Sequence, residues 1–415
     1  MIVNYNNEPK IQIADRLCKI NSWMIAFVLM AEFIAIIINS LFHVLNILPF
    51  IFVSTVTISY ISAFFAGFKF RININVLLIY LYSLFLFAIS IFLNGAGTNI
   101  TYLGDFLTYG LIGFLLLILP YNTRIILRVI SCSAIGYLIF QSQILESIST
   151  NTASYGQINM FSSYAISTII IASIIYLAFY TKRFHWFDIV VYLTNLSLLF
   201  LLLLQGSRGA VLELFVLLLI IWWKKAGNSD VRKVLFKKYL FLTGMLFTGF
   251  SVLINYEQIL KIIYESLQSM GISISLINKS YSLISLQGSV FGVLNGRDTV
   301  FDNSLSMFGK SPIFGAGIGS FEDSFSTWPH NLILQLLCEL GVLFSIPFLY
   351  FICRGIIAIL QQWKFAKNKD EGIMLLFLFA YSIPKLMLSS YFWKEQSFWM
   401  FIIVTCSFIQ YKKVL

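Results

Sequence analysis

Three residues combine reactive chemistry with a position at the edge of an apolar run: Arg208, Arg297 and His330. Arg208 sits in Gln205-Gly206-Ser207-Arg208-Gly209-Ala210, a tight turn between two apolar stretches. The small residues around it let backbones approach closely. A charge at a membrane boundary is costly and reads by default as functional; the alternative is an arginine snorkelling to lipid headgroups. Arg297 sits in Asn295-Gly296-Arg297-Asp298, where the alternative is a solvated salt bridge to Asp298 or Asp302. His330 closes Trp328-Pro329-His330-Asn331, where a polar stretch meets the next apolar run. Imidazole titrates near neutral pH and can take a proton from a hydroxyl; the alternative is an interfacial histidine packed on Trp328. Together the three suit a reaction with an anionic leaving group. Guanidinium groups bind phosphate oxygens bidentately and stay charged. Their charge stabilises a departing diphosphate, so the chemistry requires no metal. The histidine then serves as base on an acceptor hydroxyl. The reaction that fits is glycosyl transfer from a lipid diphosphate.

Other residues are weaker candidates. Lys385, Tyr391 and Lys394 flank the last outer turn and would add positive charge there, and Asn331 follows His330 directly. Glu32 and Glu213 lie within apolar runs, where either could pair with an arginine. His43 and His185 lie near interfaces with nothing around them that suggests a site. Gly315-Ala316-Gly317-Ile318-Gly319 resembles part of a dinucleotide fingerprint, but no βαβ unit surrounds it. A flexible turn that folds the chain back toward the membrane fits it better. No serine is marked out beside His330, so Ser-His-Asp logic does not apply.

The elements that must position these residues are membrane helices. Of 415 residues, 59% are hydrophobic and 11% charged. A soluble protein carries roughly 25% charged residues, and a disordered chain is far less apolar. Runs of about 20 apolar residues can each cross a bilayer as a helix. The alternating ten-residue strands of an outer-membrane barrel are absent. The five cysteines, Cys18, Cys132, Cys338, Cys353 and Cys406, have no metal-ligand spacing and form no disulfide framework. The first apolar run follows a long polar stretch without a small-residue cleavage site, which predicts a retained helix.

Hydropathy predicts an all-α polytopic protein with about twelve spans. They fall near 23–41, 44–67, 76–93, 106–121, 129–145, 160–180, 189–204, 210–223, 239–254, 332–360, 373–388 and 398–409. With both termini cytoplasmic, 21 of the 28 Lys and Arg lie inside, and a missed span would spoil that bias. The net charge of +10 therefore reflects membrane orientation and not a nucleic-acid partner. Three regions follow: an N-terminal bundle over 1–254, a large external loop over 255–330 and C-terminal helices over 331–415. A loop that long is usually functional. Within it, Ile259, Leu260, Ile263 and Leu267 predict an amphipathic helix on the membrane. Residues 272–294 are apolar enough to lie against bilayer or bundle, and 299–308 read as another short helix. The loop carries more acids than bases, so it is not a basic patch for anionic lipid.

Several of these pieces recur together in one family. Ser207-Arg208-Gly209-Ala210, Gly296-Arg297, Pro312-x-x-Gly315-x-Gly317, Pro329-His330-Asn331 and Glu339-Leu340-Gly341 stand in that order over 205–341. In this the chain resembles the bacterial O-antigen polymerase and O-antigen ligase membrane proteins (Wzy- and WaaL-type). The resemblance implies a GT-C-like, metal-independent glycosyltransferase of the Gram-negative inner membrane, facing the periplasm and needing no cofactor. It implies a glycan on undecaprenyl diphosphate as donor, with Arg208 and Arg297 on the diphosphate and His330 near the acceptor hydroxyl. Membrane lipid, and for a polymerase a polysaccharide chain-length regulator, are the further partners. Between the two activities the compact 315–331 segment favours polymerase, with O-antigen ligase as the alternative. From a different class comes a lipid-linked sugar transporter. Its charges belong near the midplane, often in two repeated halves; here the cues cluster at one face.

Overall fold

A computed structural model of the chain describes residues 8–42, 47–68, 70, 73–140, 155–181, 186–205, 208–225, 256–269, 297–361 and 369–412. The described residues contain no strand. The helices, in chain order, are α1 (Glu8–Leu29), α2 (Ala31–Phe42), α3 (Leu48–Phe65), α4 (Ile74–Asn94) and α5 (Thr98–Leu117). Then come α6 (Thr123–Ile139), α7 (Tyr155–Tyr180), α8 (Trp186–Gln205), α9 (Arg208–Lys225), α10 (Tyr256–Ser269), α11 (Arg297–Lys310) and α12 (Ser320–Phe325). The last are α13 (Leu332–Gln335, continued by a π turn at Leu336–Leu340), α14 (Gly341–Gln361), α15 (Lys369–Leu386) and α16 (Gln396–Lys412). Polar caps start several of them where the first amides have no helical acceptor. Asn73 accepts from the Asn75 amide, Asn122 from Ile125, and Asn331 from Ile333 and Leu334.

The protein is an integral membrane protein by the length and apolarity of its helices. Among the described residues, five are long and apolar enough to cross a bilayer: Leu48–Phe65, Ile74–Asn94, Thr98–Leu117, Ser163–Tyr180 and Leu332–Leu360. A sixth arises if Ala14–Leu29 and Ala31–Ile38, bent by 69°, form one span. These coincide with six of the twelve spans read from the sequence, and the count of twelve stays an expectation. Shorter apolar helices cover Asp188–Leu199, Gly209–Trp222 and Gln396–Ser407. Helices α6 and α15 carry charges within their length, Arg124 and Arg128 in one, Lys369, Asp370, Glu371 and Lys385 in the other. The expected span at 239–254 and the apolar stretch at 272–294 lie outside the described residues, as do His43 and His185. The loop helices expected at 256–270 and 299–308 appear as α10 and α11.

Two departures from plain helix have visible causes. The span expected at 23–41 breaks at Met30. There the Gln396 side chain donates to the Val28 carbonyl at 2.6 Å, taking the acceptor that Glu32 would use in a straight helix. In α5, a π turn at Phe106–Gly110 is matched by the Tyr80 hydroxyl, which donates to the Gly110 carbonyl. Gly110 and Gly113 face Trp399 and Met400, so α5 and α16 approach closely through a small-residue face.

The break between α13 and α14 matters most for the site. Gly341 has φ +65 and ends the regular ladder. In lipid, every freed backbone group must find a partner within the protein. The strap at 312–317 provides them. The amides of Ala316 and Gly317 donate to the carbonyls of Cys338 and Glu339 at 2.9 and 2.8 Å. The carbonyls of Pro312 and Ile313 accept from Val342 and Leu343 at 2.9 and 3.0 Å. The glycine-rich segment is thus bonded on both edges and is not the flexible turn its composition suggested. Gly315 must be glycine: it has φ +74, and a Cβ there would meet the Glu339 carbonyl oxygen at 2.3 Å. Asn94 and Ser90 of α4 tie the strap from the other side, Asn94 donating to Ala316 and Ser90 accepting from Ile318.

Candidate functional site

The strap leads into α12, which is fixed to α5. Thr98 donates to Asp323, and the Tyr102 hydroxyl donates to Glu322 at 2.7 Å. Glu339, buried in the π turn, accepts from the Gly319 amide at 3.2 Å and from Gln335 at 3.2 Å. Shortly after α12 the chain reaches His330 with both approaches anchored: the strap behind it, and Asn331 capping α13 ahead of it. His330 has φ +53, a conformation that a non-glycine residue adopts only when its surroundings impose it. Its ring lies 5.1 Å from that of Trp328. The packing expected of an interfacial histidine is therefore present, and it also fixes the imidazole in place.

Tyr391 connects this corner to the turn at 387–395, between α15 and α16. Its hydroxyl donates to Asp105, its ring stacks on Tyr102 at 4.5 Å, and Trp328 lies 5.8 Å away. Burial, and next the hydrogen bond to Asp105, push its phenol above the ordinary range, so it stays neutral and donating. Asn331 Nδ2 lies 3.5 Å from the Met387 carbonyl, and the Phe392 amide lies 3.4 Å from Gln335 Oε1.

Arg208 is the first residue of α9 and Arg297 the first of α11. Their side chains, and Gly206, Ser207, Asn295 and Gly296, lie outside the described residues. The neighbouring Gly209 is buried against Tyr164 and Ser389, where a Cβ would stand 2.0 Å from the Tyr164 hydroxyl. That hydroxyl donates to Ser389 in the turn at 387–395. The N-terminus of α9 and the His330 corner are therefore both attached to 387–395, one through Ser389 and the other through Tyr391. Helix α11 packs against α13 and its π turn, which places the element that begins with Arg297 beside the element that follows His330.

The two lysines are differently placed. Lys385 is 4% exposed, 2.7 Å from Glu395, with its ammonium over the rings of Tyr164 and Tyr381. Its charge is engaged internally and not offered to the outside. Lys394 lies over the Tyr109 ring at 5.6 Å. Glu213 is fully buried and accepts from Ser167, while Glu32 lies within electrostatic reach of Lys385. Sequence reasoning missed Asp105, Tyr102, Tyr164, Ser389 and Glu395. Asp105 and Glu395 carried a usable signal, as acids at the edges of apolar runs.

Residues 193–349 match the family model described as O-antigen ligase, in keeping with the polymerase and ligase superfamily that the sequence resembles. The match covers a little over a third of the chain and includes Arg208, Arg297 and His330, but not 385–395. No curated protein matches the chain.

Proposed function

We propose that the protein is a membrane glycosyltransferase that polymerises O-antigen or a related surface polysaccharide. It moves a glycan from undecaprenyl diphosphate onto the non-reducing end of a lipid-linked repeat unit, at the periplasmic face of the inner membrane. The observation that carries this reading is that one family-matched segment contains Arg208, Arg297 and His330, with His330 held in an imposed backbone conformation. In the reaction, the acceptor hydroxyl oxygen forms a bond to the anomeric carbon as the carbon–oxygen bond to the diphosphate breaks. His330 takes the hydroxyl proton. The guanidinium forks of Arg208 and Arg297 hold the diphosphate, and their charge stabilises it as it leaves. These groups supply the charge that a metal would supply elsewhere. Both termini lie in the cytoplasm, and a chain-length regulator is the natural protein partner of a polymerase.

A ligase that transfers the finished chain to lipid A core is the second reading, favoured by the description of the matched family. The test is a gene deletion followed by gel analysis of the cell's lipopolysaccharide. A core carrying a single repeat unit means polymerase, since ligation continues without extension. A bare core with long lipid-linked chains accumulating means ligase. An unchanged ladder overturns both.

A further inference from the structure

Lys385 and Glu395 stand at the two ends of the outer turn, one in the last turn of α15 and the other just before α16. Their side chains meet at 2.7 Å, each 5% exposed. The second Glu395 oxygen accepts from Ser397 at 2.7 Å, so both oxygens are engaged. The Lys385 carbonyl accepts from the amides of Leu388 and Ser389, and the Phe392 carbonyl accepts from the Glu395 amide and the Trp399 indole. The neck of the turn is therefore closed by an ion pair and rests on a buried aromatic floor, in which Trp393 and Trp399 are both fully buried. Two residues of the turn reach toward the candidate site: Ser389 to Tyr164 and Gly209 beside Arg208, and Tyr391 to Asp105 and Trp328 beside His330.

We propose that Lys385 and Glu395 are positioning residues, a buried brace that sets the register of 387–395 and thereby holds the N-terminus of α9 at a fixed distance from the His330 corner. The transfer step needs the diphosphate and the acceptor base aligned at once, and misplacement of one relative to the other lowers turnover without weakening either binding event. An ion pair suits this task. Buried pairs contribute little net stability against well-packed apolar residues, so the proposed role of this one is to fix a single geometry of the turn. The nearby Glu213 carboxyl, on α9 itself, is fully buried with one oxygen lacking a hydrogen-bond partner, so Lys385 also lies in the field of the helix it helps to place.

The experiment compares wild type with the paired variant Lys385→Met/Glu395→Leu, which removes both charges together, and with Glu395→Gln, which removes one charge and keeps the hydrogen-bonding shape. Amide exchange is followed in lipid nanodiscs, with turnover of an undecaprenyl-diphosphate-linked oligosaccharide measured on the same samples. Expected is exchange about tenfold faster over 387–395 with 336–345 unchanged; the thermal midpoint stays unchanged in the paired variant and falls in Glu395→Gln, which leaves Lys385 buried and unpaired. Turnover is expected to fall about tenfold, with KM nearly unchanged. A pair that only stabilises the fold would lower the midpoint and restore turnover in the paired variant. Wild-type protection of 387–395 in both variants overturns the brace. The proposal rests on the proposed transfer reaction only for its kinetic readout: an inactive wild type with the expected exchange pattern defeats the glycosyl reading alone.

Discussion

At the scale of single residues, the proposed reaction gives His330, Arg208 and Arg297 different parts of one step, so their replacement should fail differently. A base contributes about 10²–10⁴ in rate. His330→Ala is expected to lower glycan extension by that order while protein level and membrane insertion stay normal. The imposed φ of +53 requires a control, because the alanine inherits the strained backbone. His330→Gly relieves it, so equal loss in both variants assigns the defect to the imidazole. Arg208→Lys and Arg297→Lys keep the charge and lose the fork, and each should cost about a hundredfold by analogy with removal of one oxyanion donor. Full activity in both lysine variants, measured by incorporation of labelled repeat units, would leave them as snorkelling residues. The charged and titratable candidates were legible in the sequence because they interrupt apolar runs. Their surroundings were not. Tyr102 and Tyr164 look like ordinary helix residues, and the partners of Asp105 and Tyr164 are contributed by segments far away in the chain, Tyr391 and Ser389.

At the scale of elements, the broken helix α13–α14 and its strap form the part of the fold whose meaning differed most from its composition. Most helices could be read directly, because apolar runs bounded by Asn or Gly leave few alternatives. The strap could not. Its bonds to Cys338, Glu339, Val342 and Leu343 are backbone to backbone, and backbone pairing leaves no side-chain pattern in the sequence. The same holds at Met30, where the bend follows from a side chain 368 positions away. Two glycines separate the strap's role from mere composition. Gly315→Ala places a Cβ at 2.3–2.5 Å from the backbone of Glu339 and Gly341, atoms that cannot move without undoing the helix break. It is expected to destabilise the protein by about 3 kcal/mol and to lower activity with it. Gly309 lies in α11, and a methyl group added there would have nothing within 4 Å. Gly309→Ala should be neutral or stabilising by about 0.5–1 kcal/mol. Thermal melting of the two purified variants checks both, and equal midpoints would show that the strap has no fixed register.

At the scale of the whole molecule, the site exists only if Arg208 and His330 reach the same side of the membrane. In the twelve-span arrangement expected from the sequence, with 21 of 28 cations on the other face, both are expected outside. The structure supports the same end of the bundle by a separate route, because one short turn touches Gly209 through Ser389 and Trp328 through Tyr391. Which helices cross is then decided by the shorter apolar ones. Gly209–Trp222 is below the usual length, yet Lys224 and Lys225 follow it and can snorkel to the inner surface. If it crosses, residue 228 lies in the cytoplasm, and the chain must cross once more before 310 to return. Fusions to alkaline phosphatase, which is active only outside the cytoplasm, distinguish the cases. Activity is expected at 310 and none at 228 or 415. Activity at 228 would mean that α9 lies along the outer surface, and the two-sided accounting of lysines and arginines beyond it would have to be inverted. Activity at 415 with none at 228 would instead fault one of the last three helices, and if that helix is α14 or α15 the turn at 387–395 would no longer face the same compartment as His330.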